Sequence, residues 1–297
     1  MPRIQRDCPC SRSPPVSHAF FRAIPDPSGR TEVLHPEPEA SSGWIGRQLR
    51  GMAVGAVLAR AVEREPIIRE RADLRPVRWT LDLFRPVFMR PCTTRVEVVR
   101  DGSRLALVDA ILIQDDRPVA RAGALFLRPG PSPDGICWSP GTTADPPPAD
   151  REPSSGRDRV YFSEEEGWGP DPSTHHNATR TGIWHHPIAV VVGEQPTPFQ
   201  FVAGLADVTN VVTNLGSSGL EFINADATLT LTRLPEGDEA GLVGLDRITQ
   251  DGIAVGTAAM YDRKGVFGTA TVSSIANARG PANLGAIGTS SSSVAIG

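Results

Sequence analysis

No stretch of this 297-residue chain approaches the roughly 20 consecutive apolar residues that a membrane helix needs. The segment GMAVGAVLARAV at 51–62 is too short to span and is interrupted by Arg60. The N-terminus lacks the apolar core of a secretory signal. A basic field is lacking too: the formal charge is −4, and although Arg greatly outnumbers Lys, the Arg residues are scattered singly. Neither nucleic acid nor a membrane is therefore expected as a partner. Cysteine is scarce, with only Cys8, Cys10, Cys92 and Cys137. The two-residue offset of Cys8 and Cys10 is poor for structural zinc, no second pair follows, and no disulfide framework emerges. A reducing, cytosolic setting is expected. There is no GxSxG motif and no Ser/His/Asp arrangement. The pairs His175–His176 and His185–His186 are adjacent residues, which point to opposite faces of a strand and waste one imidazole each, so no metal site is expected.

What the chain does contain is a pattern that occurs twice. Residues 44–127 and 184–275 each start near a Trp (Trp44, Trp184), run into an apolar-striped helix, reach a strand ending in an Arg/Pro turn, and continue as strands separated by Gly or Asp turns. LDLFRPV and later ALVDAILIQDDRPVARAGALFL in the first half match LTLTRLPEG and later IAVGTAAMYDRKGVFGTATVSS in the second. The spacing is 31 residues from Arg85 to Asp116 and 29 from Arg233 to Asp262. Two copies of one supersecondary unit, burying their faces against each other, are expected. The length allows two cores of ordinary size. The expected division is a disordered N-terminus at 1–15, a first unit at 16–130, a Pro-rich linker at 131–157, a second unit at 158–279 and a flexible tail at 280–297.

In the first unit Ile45, Leu49, Met52 and Ala56 recur as a helical stripe, opened by Gly43 and Gly46, with Gly51 and Gly55 inside. Glycine costs a helix roughly 0.5–1 kcal/mol against alanine, so another backbone or a ligand is expected to come close there. The glycines either line a ligand site or only permit close packing against the sheet. Strands are predicted at 78–87, 93–100, 104–114 and 119–127, with the DG at 101–102 as a hairpin signal. In the second unit the helix is Phe199–Leu215, with Phe201, Leu205, Val208, Val212 and Leu215 as its buried stripe, followed by strands at 222–232, 241–250, 253–261 and 266–274. A central helix followed by an antiparallel meander that wraps it is the hotdog pattern. The expected fold is α+β: a double hotdog, two antiparallel sheets each wrapping a central helix, in one chain.

The helices differ in one respect. The second carries Asp207, Asn210 and Asn214, which at 100° per residue fall within about 60° of each other beside the apolar stripe. A carboxylate with two amides there needs partners or a wet cavity. Otherwise Asp207 caps a neighbouring loop or faces solvent. The first helix has no acid before Glu63, so a site built on Asp207 exists once per chain.

The segments LADVTN at 205–210, FINADATLTLTRLPEGD at 222–238 and MYDRKGVFGTATVSS at 260–274, with RPVRWTLDLFRPV at 75–87 and VDAILIQDDRPVARAGALFL at 108–127, resemble the acyl-CoA thioesterase II-like family of double hotdogs over residues 20–130 and 158–278. The resemblance implies an enzyme that hydrolyses acyl-CoA to free acid and CoA, with no cofactor. It also implies an Asp on the second central helix, a hydroxyl or amide on the next strand and a Gln on the last strand, which together activate a water. The Asp falls on Asp207 and the strand position on Asn224, with Thr228 the nearest hydroxyl on the same side. The Gln falls on Val272 or Ser273, and that strand has no Gln; Ser273 can hold a water but cannot supply an amide.

Thioester hydrolysis needs a base for water and donors for the oxyanion. Asp207 is the candidate base, backbone N–H groups at Gly43 and Gly46 are candidate oxyanion donors, and Asn210 is a candidate substrate contact. A hydratase would need a His near a helix, and neither helix has one. The second function considered is a non-catalytic acyl- or acyl-CoA-binding protein. Exposed sheet edges in such folds are buried by association, so a homo-oligomer is expected.

Overall fold

Along Leu105–Gln114 every second residue is buried, with Ala106, Val108, Ala110, Leu112 and Gln114 turned inward. That is the two-residue period of a strand with one face on a core. The structure is a computed structural model that describes residues 18–26, 31–42, 47–138, 141, 144–153 and 158–282. In chain order its elements are β1 (Ala19–Pro25), β2 (Glu32–Pro36), α1 (Gly51–Glu63), α2 (Pro66–Arg69), β3 (Arg75–Leu83), β4 (Thr93–Asp101), β5 (Leu105–Gln114), β6 (Arg117–Leu127), β7 (Arg159–Ser163), β8 (Gly167–Gly169), β9 (Thr181–His185), β10 (Ala189–Val191), α3 (Pro198–Leu205), α4 (Thr209–Asn214), β11 (Leu215–Gly216), β12 (Gly219–Leu220), β13 (Phe222–Asn224), β14 (Asp226–Leu231), β15 (Ala240–Gln250), β16 (Ile253–Asp262) and β17 (Gly265–Ala276).

The repeat is visible in the sheet. One half runs β4-β5-β6-β3 and the other β15-β16-β17-β14, and β3 pairs antiparallel with β14, Trp79 opposite Leu229. The two sheets are thereby joined edge to edge into one of 12 strands, which β9, β7 and β8 extend beyond β15. The double hotdog stands. The turns predicted from DDRP and QDG are tight, with Asp115, Asp116, Asp251 and Gly252 all at positive φ, the geometry that two-residue hairpins favour. The repeated Arg-to-Asp spacing has a structural meaning in the second copy, where both Arg233 nitrogens bond the buried Asp262 carboxylate at 2.5 and 2.8 Å. The N-terminal hairpin β1–β2 does not join this sheet; β1 pairs in parallel with β10 of the second half.

The helices lie on one face of the sheet, and a single core runs through both halves. Phe199 of α3 sits edge-on to Trp79 of β3 and Phe126 of β6, at centroid distances of 5.6 and 5.8 Å. α1 and α3 cross at glycines. A Cβ on Gly55 would lie 2.7 Å from the Ala203 carbonyl oxygen, and one on Gly204 would lie 2.7 Å from that of Met52. Gly55 thus serves close packing, and of helix on helix. At the far end of this crossing, Thr197 caps α3 by accepting from Gln200 N–H and donates to Glu63 of α1, as does the Gln200 amide.

Both helices differ from their sequence reading. α1 starts at Gly51, with Leu49 in a bridge to Ser41 before it, so Gly51 opens the helix. Gly43, Trp44, Ile45 and Gly46 lie outside the described residues. The second helix is two pieces: a 3₁₀ turn at Ala206–Val208 separates α3 from α4 and contains Asp207. A tightened turn within a helix re-aims its side chains. Among the described residues, no helix is long and apolar enough to cross a membrane.

Candidate active site

Asp207 leaves the 3₁₀ turn toward the N-terminus of α1. A Cβ on Gly51 would lie 2.2 Å from its Oδ1, 2.4 Å from its Cγ and 2.6 Å from its Oδ2. No residue but glycine leaves that space, so the first glycine of α1 is the seat of the carboxylate. Asn224 donates its amide to Asp207 Oδ1 at 2.9 Å. Burial pushes the Asp207 pKa above the usual carboxylate value, while the Asn224 amide, the Met52 backbone N–H and the charge of Arg50 pull it down. The positive end of α1 and Arg50 thus offset part of the cost that burial imposes on the anion.

Arg50 stands beside this seat and is held from several sides. Its Nε donates to the Ser41 carbonyl at 3.2 Å, its guanidinium lies 5.9 Å over the Phe20 ring, and Nη1 is 3.6 Å from Asp158. Burial, and next Arg159, lower its pKa to about 10. Behind it His185 is fully buried, with Nδ1 on the His186 carbonyl and Nε2 3.9 Å from Asp158; burial lowers its pKa to about 4, so it is neutral near pH 7. His175 is paired with Ser163 at 3.0 Å.

Asn224 reaches Asp207 through a β-bulge. Asn224 pairs with Ser274, and Thr228 pairs with Thr271. Four steps on one strand thus face three on the other, and the extra residue, at Ala225, reverses the faces beyond it. Asn224 points in, with Ser274 opposite; Thr228 points out, opposite Thr80 and Thr271. An unbroken strand would have put Asn224 and Thr228 on one face, which is how the sequence reads. Ser273 is likewise on the outer face, where its N–H and hydroxyl bond Asp226 at 2.6 and 3.4 Å. The structure therefore brings Asp207 and Asn224 together and leaves Thr228 and Ser273 on the far side of the sheet. Val272 faces inward and is apolar.

Asn210 is 4% exposed and is committed to the scaffold. Its Nδ2 donates to the Phe222 carbonyl at 3.0 Å; its Oδ1 accepts from Ser274 Oγ at 2.8 Å and Asn214 Nδ2 at 3.0 Å. This network clamps β13 against α4 and so fixes Asn224. The sequence reading placed none of Gly51, Arg50 and Ser274 in the site. Gly51 carried a signal, since an unexplained glycine in a helix marks a close approach. Ser274 is inward by the alternation that buries Val272. Nothing local marks Arg50.

The comparisons agree with this architecture. Residues 40–127 match the acyl-CoA thioesterase N-terminal domain and residues 139–274 the acyl-CoA thioesterase C-terminal domain. No curated protein matches at a significant level. Among solved structures, a protein from Thermobifida fusca YX assigned as a thioesterase II is 15% identical, with a TM-score of 0.63, covering 88% of this chain and 96% of that one. A conserved hot dog fold protein from Alicyclobacillus acidocaldarius is 15% identical, with a TM-score of 0.61 and coverage of 84% and 94%. The acyl-CoA thioesterase II TesB2 from Mycobacterium marinum is 14% identical, with a TM-score of 0.57 and coverage of 82% and 91%. These likenesses show the fold; the two family matches, which together span most of the sequence, show that the chain belongs to the acyl-CoA thioesterase family of thioester hydrolases.

Proposed function

We propose that the chain hydrolyses acyl-CoA by direct attack of water, with Asp207 as the general base. The observation that carries this is Asp207 itself: a carboxylate of raised pKa, oriented by Asn224 at 2.9 Å and seated on the first glycine of a helix. Asp207 takes one proton from water as the water oxygen bonds the thioester carbon. The carbonyl oxygen becomes an oxyanion, which the positive end of α1 is suited to stabilise. Collapse breaks the C–S bond, and the CoA sulfur leaves with the proton that Asp207 carried. A thiol, with a pKa near 8.5, needs little help to leave. Asn224 is a positioning residue here. Thr228 and Ser273 take no part. The division into two units on either side of the Pro-rich segment belongs to the same reading. So does a homo-oligomer, which the exposed Ile248, Ile253 and Ile275 on the outer face of β15–β17 support. Free thiols at Cys92 and Cys137 support a cytosolic setting.

The test is free-thiol release from acyl-CoAs of increasing chain length, for the wild type and Asp207→Asn. The expected result is a loss of about 10²–10⁴-fold in the variant, the range for removal of a general base. Turnover that survives in a folded variant would move the base elsewhere.

A further inference from the structure

Asp207 uses one end of β13. The other end borders a groove of about 430 Å³ that the hydrolytic step leaves unused. The groove exists because the sheet splits: β15 pairs with β9 only from Ala240 to Val243, and a register shift between Gly244 and Asp246 then turns the rest of β15 away. Residues 177–181 form one wall, residues 244–247 the other, and the C-terminal turn of α4 lies between them. Two arginines, Arg180 and Arg247, line it.

Arg247 is fixed in a way that leaves donors free. Its Nε donates to Asn214 Oδ1 at 3.0 Å, one Nη1 bond goes to Thr249 Oγ1 at 3.1 Å, and the guanidinium lies 5.2 Å over the Phe222 ring. A guanidinium has five N–H donors, so three remain, and among the described residues no carboxylate pairs with it. Among the described residues Arg180 pairs only with Glu164, at 3.7 Å. The two acids that also line the groove are Glu221 and Asp246, and Asp246 Oδ1 accepts the Arg247 N–H. A planar cation held flat on an aromatic ring, with its remaining donors free, suits a phosphate group and a stacked base.

We propose that this groove binds the phosphorylated adenosine end of CoA. The proposal rests on the reading that a CoA thioester is the substrate. Phe222 stands in the groove wall and Asn224, two residues on, holds Asp207, so β13 leads from the groove toward the carboxylate. Asn214, which fixes Arg247, belongs to the network that holds β13. The pantetheine arm lies along β13, and the acyl group continues past Asp207.

The test is calorimetric titration with CoA, and separately hydrolysis of an acyl-CoA against the same acyl group on N-acetylcysteamine, which has no nucleotide. Arg247→Gln is expected to weaken CoA about tenfold and to raise KM for acyl-CoA similarly, the loss of one charge-assisted bond, with kcat and turnover of the truncated thioester unchanged. Arg180→Gln, which touches neither Asn214 nor Phe222, is a second variant expected to weaken CoA without altering the fold. CoA affinity equal to the wild type in both variants, or no CoA binding by the wild type, overturns the proposal. An equal loss on both thioesters overturns it too, since Arg247 would then act through the fold. CoA binding that depends on both arginines in a protein with no hydrolysis would uphold the groove and remove the hydrolytic reading.

Discussion

Substituting Gly51 by alanine separates stability from activity at the proposed site. Elsewhere in a helix, glycine to alanine gains roughly 0.5–1 kcal/mol. Here the new methyl would meet Asp207 Oδ1 at 2.2 Å, where ordinary contact starts at 3.4 Å. The obstacle is the tip of a side chain, so the carboxylate swings away and the backbone need not move. That swing breaks the Asn224 bond, a loss of about 0.5–1.5 kcal/mol, and relieves the burial of a carboxylate. The terms nearly cancel, so Gly51→Ala should unfold within about 1 kcal/mol of the wild type. Catalysis should respond differently, because a displacement of about 1 Å at a reacting group can cost 10²-fold. The assay is thiol release at saturating and limiting acyl-CoA, beside denaturant unfolding. Gly55→Ala is the contrasting variant: its Cβ would meet a backbone oxygen at 2.7 Å, so α1 and α3 must separate, at about 1–3 kcal/mol. Wild-type kcat/KM in Gly51→Ala would refute the placement of Asp207 in the reaction.

The pH dependence should show the raised pKa of Asp207. A base must be ionised, so kcat/KM should rise with pH through a value above that of an ordinary aspartate. Arg50→Gln removes a charge that lowers this pKa, and should shift the acidic limb upward. For stability the sign is opposite. A carboxylate whose folded pKa is raised favours folding while protonated, and that contribution is lost as pH rises through the folded value, so Asp207→Asn should be at least as stable as the wild type at neutral pH by thermal unfolding. Ser274→Ala removes one of the two donors to the buried Asn210 Oδ1, the Asn214 amide remaining, and should cost about 0.5–1.5 kcal/mol by denaturant unfolding, whereas Thr228→Val, on the outer face, should leave kcat/KM unchanged in the thiol-release assay.

Much of the fold was legible because it rests on short-range periodicity. The strands fell within a few residues of their predicted bounds, and the Asp and Gly turns lay where the sequence reads them, since positive φ leaves a compositional mark. The start of α1 was misplaced because Leu49 fits the helical stripe but is taken by a bridge to Ser41, a tertiary choice that local pattern does not reveal. The face of Thr228 was misread for one reason: a single extra residue at Ala225 inverts everything downstream of it, and alanine gives no sign of a bulge. Asp207 was legible as an unexplained acid beside an apolar stripe, and Gly51 as an unexplained glycine in a helix. Each accounts for the other once the helices cross, because the carboxylate needs a position with no Cβ and the glycine position is costly without an occupant. The first copy of the unit keeps the glycines without the acid, and the second keeps the acid, so the paired seat arises once per chain, across the interface of the two repeats.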